Sequence, residues 1–579
     1  MGSFGLHCSS VKPSSYPPKI NHHSHSSLSF SSFTLKPPFS KRIKEASLRL
    51  LDAFVDSAFE FLDQPLFPSQ SNFSPVEEIG EAVDVTESVI GKIPDDFPAG
   101  VYIRNGPNPL FGGLKSTNSI FGKSSHTWIE GEGMLHALYF SKHGDGRWEV
   151  SYRNRHVETD TFKLEKARKK PAFLPAIEGD SLAVLSAYLL NYLRFGFVNK
   201  YLSNTSVFEH SGKLYSAAEN HIPQEMDVFT LETRRNWDVN GSWNRPFTSH
   251  PKRDPDTGEL VIMGIHPEKP YLELGVISVD GDKLLHRVDL GLDRCCLCHE
   301  IGITTRYNVI MDFPLTLDIN RLIRGGPLIE YNGEEYARIG IMPRYGDPDS
   351  LRWFDVEPGC TFHIINCHEE GDEVVVVACR ARGSIIPGPE FGLNKHEWFS
   401  KGFHKQITGD AEDAPFLSRV YEWRLNVLTG HAAERNLTGA DYSMEFPIIN
   451  DKYSSKICNY GYTQVVSPKA SSTSGMTKYG GLAKLHLRER KRGDGGLIKV
   501  EHHELPENTF CSGAAFVAKR GGGGADEDDG WIATYVHNED ANTSHVHIVD
   551  AKNFSGEAVA VIDLPSRVPY GFHGAFVTF

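Results

Sequence analysis

Apolar residues recur at spacings of three and four from Ala46 to Leu62, at Leu48, Leu51, Phe54, Val55, Phe59 and Leu62, until Pro65 interrupts the pattern. That period predicts an amphipathic helix with a core-docking face. A second helical stretch, Leu182 to Val198, places Leu185, Tyr188, Leu189, Tyr192, Leu193 and Phe197 around a single charge, Arg194. It suits either a buried helix or a membrane interface, where aromatic side chains favour the boundary. Beyond these stretches, short β-rich runs dominate, among them Val261–Gly264, Tyr307–Met311, Val374–Cys379, Trp531–Val536 and His545–Val549. Many are bounded by Gly, Pro, Asp or Asn, as strands joined by turns should be. Repeated over roughly 500 residues, such runs predict an all-β chain, either a propeller or several sandwiches. No clean repeat of about 40–50 residues separates the two.

Composition narrows the class. The 579 residues are 40% hydrophobic and 23% charged, ample for a large core. A formal charge of −14 argues against a basic nucleic-acid binder, because phosphate neutralisation needs a cationic face. Nine scattered cysteines do not form a secreted disulfide framework, so a reducing compartment is expected. No uninterrupted apolar run reaches the ~18 residues of a membrane span. The 26 histidines invite a metal hypothesis without choosing ligands.

Residues 1–44 differ from the rest, with twelve serines, six Lys/Arg and no Asp or Glu. Serine-rich, basic and acid-poor reads as a plastid or mitochondrial transit peptide, against the plainer alternative of a disordered tail. Its removal would take the charge from −14 to −20 and leave 22 histidines.

Local motifs yield no strong site. The C-x-x-C pair in Cys295-Cys296-Leu297-Cys298 lacks the second pair of a structural zinc site, so buried thiols are expected. His545 and His547 share a strand face, which permits a metal pair or a packed surface. Gly131-Glu132-Gly133 lacks the third glycine of a nucleotide fingerprint. Arg488–Arg492 reads as a solvated loop, and Gly521–Gly530 is a low-complexity loop. Any metal ligands must therefore come from distant parts of the chain.

Longer strings occur in a fixed order: RNGPNP (104–109), FTSHPKRDPDTGEL (247–260), CHEIGIT (298–304), ARIGIMPRYGD (337–347), CTFHIINCHEE (360–370), MEFPIIN (444–450), DEDDG (526–530) and LPSRVPYGFHGAFV (564–577). Together they resemble the carotenoid cleavage oxygenase family, in a plant plastid form, over roughly 78–579. The resemblance implies a seven-bladed β-propeller with a helical cap over its iron-bearing face. With 1–44 read as a transit peptide and 45–77 as an amphipathic helix and linker, the likeness makes 78–579 one catalytic domain with cap helices inserted at about 173–200. It further implies one non-haem Fe(II) per chain, held by His250, His299, His363 and His573. Glu219, Glu445 and Glu527 match glutamates that back such ligands, Glu219 with the least distinctive surrounding string.

The chemistry agrees with this set. Imidazole nitrogens suit Fe(II), and a carboxylate on the far ring nitrogen fixes the tautomer. The sequence departs from the family at Cys298-His299-Glu300, where Met-His-Asp is usual. Cys367-His368 also departs, with His368 read as structural, and Glu130 and Glu132 stand in a D-G-D-G-like position. The implied activity is O2-dependent cleavage of a conjugated C=C bond in a carotenoid or apocarotenoid to two carbonyl products. Stilbene-type cleavage or alkene isomerisation at the same iron is the alternative, and a carotenoid-binding propeller without turnover is the non-enzymatic one. The implied setting is the chloroplast, with an apolar polyene and O2 as partners, peripheral membrane contact and a monomer.

Overall fold

Antiparallel strands follow one another along the chain in this computed structural model, and among the described residues they form eight sheets. The structure describes residues 39–579 except 65, 114, 127–129, 387–394, 409–415, 492–495 and 522–525, with side chains from 46 onward. Its contacts group into two units, 1–50 and 51–579. The transit segment therefore lies outside the described residues up to 38.

The chain is all-β in character. Successive four-stranded sheets span Ser206–Asn236, Lys252–Asp289 and Cys360–Asn436, and a fourth runs from Gly302 to Val356. A nine-stranded sheet holds two further runs, Met444–Glu504 and Thr509–Asp563, joined through the single pair Tyr479↔Cys511. A five-stranded sheet mixes the two ends of the described chain. Strand Gly574–Thr578 pairs antiparallel with Gly100–Pro107, in the register Gly574↔Arg104. Val89–Gly91 likewise pairs with Ala560–Asp563. These sheets bury the aliphatic residues that the strand pattern predicts. All five segments singled out from sequence are strands, including Leu260–Ile265 and Glu373–Ala381, whose Val374–Ala378 run is buried.

Two expectations need correction. The first helix spans Phe39–Ala58, not Ala46–Leu62. From Phe59 the period changes to two, and Phe59–Asp63 pairs with Lys115–Ser119. Backbone pairing to that neighbour overrides the continuing three-and-four spacing. Arg488 and Arg490 belong to strand Tyr479–Arg490, so this part is a strand end rather than a loop, although Arg488 stays half exposed beside Glu370.

The second apolar stretch forms the helix Ser181–Phe195 and has two characters at once. Ala183, Val184, Ala187, Leu190, Asn191 and Arg194 are buried, and Arg194 is held by Asp52 at 2.8 Å. Leu182, Leu189, Tyr192 and Leu193 are each more than half exposed. Five residues past the helix end, Lys200 bridges the buried carboxylates of Glu132 and Glu165. Glu132 also accepts from Leu110 N, so the G-E-G segment serves as a structural tie.

The eight described cysteines are buried and free, and burial pushes the Cys295 and Cys298 thiols up to about 12.

Candidate metal centre

Four histidines from four separate segments meet. The ligand-capable nitrogens of His250, His299, His363 and His573 all lie within 4.8 Å of one another. Each is placed by local backbone features. The His250 amide donates to Thr248 Oγ1 at 3.0 Å, just before the short strand Lys252–Arg253. His299 follows the buried thiols, and its ring stacks on Phe362 at 4.7 Å. His363 sits in strand Cys360–Glu370 where the register shifts between Thr361 and Ile364. Such an irregularity re-aims side chains out of strict alternation. His573 precedes strand Gly574–Thr578, and its carbonyl accepts from Asn105 N at 3.0 Å. Gly574 is required here, since a Cβ would come within 2.1 Å of Gly513 O.

The rings are oriented for a shared occupant. His250 Nε2 and His299 Nε2 are 3.0 Å apart, and the His250 and His573 centroids are 4.4 Å apart. His363 Nε2 is buried without a hydrogen-bond partner. Converging imidazole nitrogens with an orphaned buried one among them fit a metal ion, which takes up lone pairs that nothing else satisfies.

Two of the three expected glutamates are at the site. Glu219 Oε1 lies 2.6 Å from His299 Nδ1, and Glu445 Oε2 lies 2.6 Å from His363 Nδ1. Ser418 Oγ and Phe446 N donate to Glu445 and fix its direction. Glu527 is placed elsewhere. Its carboxylate accepts from Asn459 N, Tyr460 N and Asn459 Nδ2, tying two strand runs rather than a ligand ring. Among the described residues, neither His250 nor His573 has a carboxylate on its far nitrogen.

This asymmetry appears in the proton affinities. Burial lowers His299, but the Glu219 carboxylate outweighs it and holds His299 above its ordinary value. Burial, then the neighbouring imidazoles, push His250 and His573 well below theirs. Both effects favour the neutral ring, the form that can donate a lone pair to a metal.

A cavity of about 650 Å³ reaches the cluster at His363, Glu445, Phe362 and Phe446. Its wall is rich in aromatic rings, including Phe73, Phe399, Phe416 and Phe572. Phe446 holds a left-handed backbone (φ 54°), and its ring lies 5.1 Å from His363 and 4.9 Å from His573. A non-glycine residue in that region is strained, and such strain concentrates at functional sites. The sequence alone did not single out Phe446.

His368 stands apart from the cluster, 3.4 Å from Glu370. His545 pairs with Asp563 at 2.7 Å, and neither it nor His547 joins a metal-capable group among the described residues.

Comparison with known proteins places the chain as a whole. A family model described as retinal pigment epithelial membrane protein matches residues 73–578. The chain is 30% identical over 560 residues to a carotenoid 9,10(9',10')-cleavage dioxygenase of Crocus sativus, covering 94% of this chain and 95% of that one. It is 28% identical over 523 residues to a chloroplastic 9-cis-epoxycarotenoid dioxygenase of Oryza sativa subsp. japonica, covering 88% and 75%. The crystal structure of Pseudomonas brassicacearum lignostilbene dioxygenase shares the fold, with a TM-score of 0.73 at 23% identity over 90% of this chain and 100% of that chain.

Proposed function

This chain belongs to the carotenoid cleavage oxygenase family, and from that membership we propose a non-haem Fe(II) dioxygenase that cleaves a conjugated C=C bond of a carotenoid or apocarotenoid. One O2 is consumed and one oxygen atom enters each of two carbonyl products. The observation that carries this reading is the convergence of four imidazoles beside an aromatic-walled cavity.

His250, His299, His363 and His573 would hold one Fe(II). When bound, the ion supplies the activation of O2 that an unassisted polyene lacks. The chain's own part is geometric. Glu219 and Glu445 hold the Nδ1 side of His299 and His363, which leaves each Nε2 directed at the shared centre. The cavity rings bury a long apolar substrate, fix which double bond reaches the centre and exclude water.

The succession of mostly four-stranded antiparallel sheets is consistent with a seven-bladed β-propeller, in which the pairing of Gly574–Thr578 with Gly100–Pro107 would join the last strand to the first blade. The helical segment within 173–200 is then part of a cap on the iron-bearing face. The exposed face of Ser181–Phe195 supports peripheral membrane contact, and the acid-poor segment 1–44 with the chloroplastic relative supports a plastid location.

The test is aerobic incubation of the Fe(II)-loaded protein with a panel of carotenoids, apocarotenoids and stilbenes, read by mass spectrometry. Two carbonyl fragments from a carotenoid or apocarotenoid are expected. A product of unchanged mass would replace cleavage with isomerisation, fragments from stilbenes alone would change the substrate class, and no product across the panel would leave only binding.

A further inference from the structure

Behind the histidine cluster lies a second convergence, made by residues next to the ligands. Glu300 follows His299 directly, Ile364 follows His363 directly, and Lys252 is two residues beyond His250. One carboxylate joins all three. Glu300 Oε1 pairs with Lys252 Nζ, and Glu300 Oε2 accepts from the amide N–H of Ile364. Glu300 is only 6% exposed, so both contacts are made where water competes weakly.

The backbone is built for this approach. A Cβ on Gly302 would lie 2.5 Å from Cys367 Sγ. That close packing presses the segment after His299 onto strand Cys360–Glu370, which carries His363. Ile364 borders both register shifts of that strand. Its N–H is therefore offered to a carboxylate at a point where the ladder is irregular.

We infer that Glu300 is a positioning residue for the metal centre, fixing the relative placement of His250, His299 and His363 through Lys252 and Ile364. The inference rests on the metal reading above. Glu300 touches no ligand ring, so it acts through the backbone segments that carry them. The extra methylene relative to aspartate gives the carboxylate its reach to two partners from separate strands. Charge is balanced locally, because a buried carboxylate needs its cation. Substitution by Gln keeps the shape but turns an amide group toward the Lys252 ammonium or withdraws the acceptor from Ile364. Substitution by Asp keeps the charge and shortens the reach.

The experiment uses the metal-free full chain titrated with Co(II), whose visible ligand-field bands report ligand geometry independently of turnover. The parent protein is expected to bind one Co(II). E300Q is expected to bind about 10–100-fold more weakly, the range for groups that orient ligands, and to show shifted bands. E300D should fall between the two. Thermal unfolding of each variant controls for folding. Where E300Q does not fold, K252M supplies the same test from the other side of the pair, again with shifted bands expected. Bands and affinity identical to the parent in a folded E300Q or K252M overturn the inference alone. Failure of the parent to bind Co(II) overturns the metal reading and this inference with it.

Discussion

His250 and His299 stand 3.0 Å apart at their Nε2 atoms, yet their surroundings drive their proton affinities in opposite directions. The difference is one carboxylate. Glu219→Gln should therefore weaken metal affinity by about 10–100-fold while leaving the ligand set intact. Metal content after gel filtration checks it, and retention equal to the parent would show that Glu219 does not orient His299. Away from the centre, burial holds the His537 and His547 rings at about 4. The unfolded chain titrates near ~6.5, so it binds more protons than the folded one at mildly acidic pH. The stability tied to these neutral rings is complete above ~6.5 and is lost as pH falls toward 4, by at most about 3 kcal/mol per ring. Melting temperature should fall as pH drops from about 7 toward 4, and His547→Gln should make that fall shallower. An unchanged slope in the variant would mean that His547 carries none of it.

At the scale of elements, the sequence was most legible where period and burial agree. Glu373–Ala381 reads as a strand because its valine run is buried in a sheet interior. Phe59–Asp63 was misread because its apolar spacing fits a helix, and only pairing with the distant Lys115–Ser119 decides otherwise. Ser181–Phe195 suits two readings from its sequence; its buried face fits the packed helix, and its exposed face leaves the membrane reading to experiment. Its exposed leucines predict a membrane-facing role. Leu189→Ser with Leu193→Ser should move the protein out of the floating fraction on liposomes, since each buried leucine is worth about 1.5–3 kcal/mol. Equal flotation of parent and double variant would remove this helix as the contact.

At the scale of the whole molecule, the site was legible only through ordered motifs. The four histidines are separated by 49, 64 and 210 residues, and no local spacing joins them. Glu219 reached the site despite its undistinctive string. Glu527 did not, because its acidic loop gives no periodic cue to where the carboxylate points, and three donors at Asn459 and Tyr460 hold it. The Lys252–Glu300–Ile364 contact left no trace in spacing, since it exists only once three segments are packed. The N-terminal reading makes its own prediction. Residues 1–44 fused to a fluorescent reporter should direct it to plastids, and a cytosolic reporter would refute that.

The pairing of Gly574–Thr578 with Gly100–Pro107 also constrains how the protein is made. Strand Gly100–Pro107 leaves the ribosome roughly 470 residues before its partner exists. At about 5–20 residues per second, its free edge waits about 25–95 s. Unpaired strand edges are templates for aggregation, and contacts this distant are slow to form. Until that partner arrives the edge is open to wrong pairing, so refolding yield should fall as protein concentration rises before any property of the finished centre limits it.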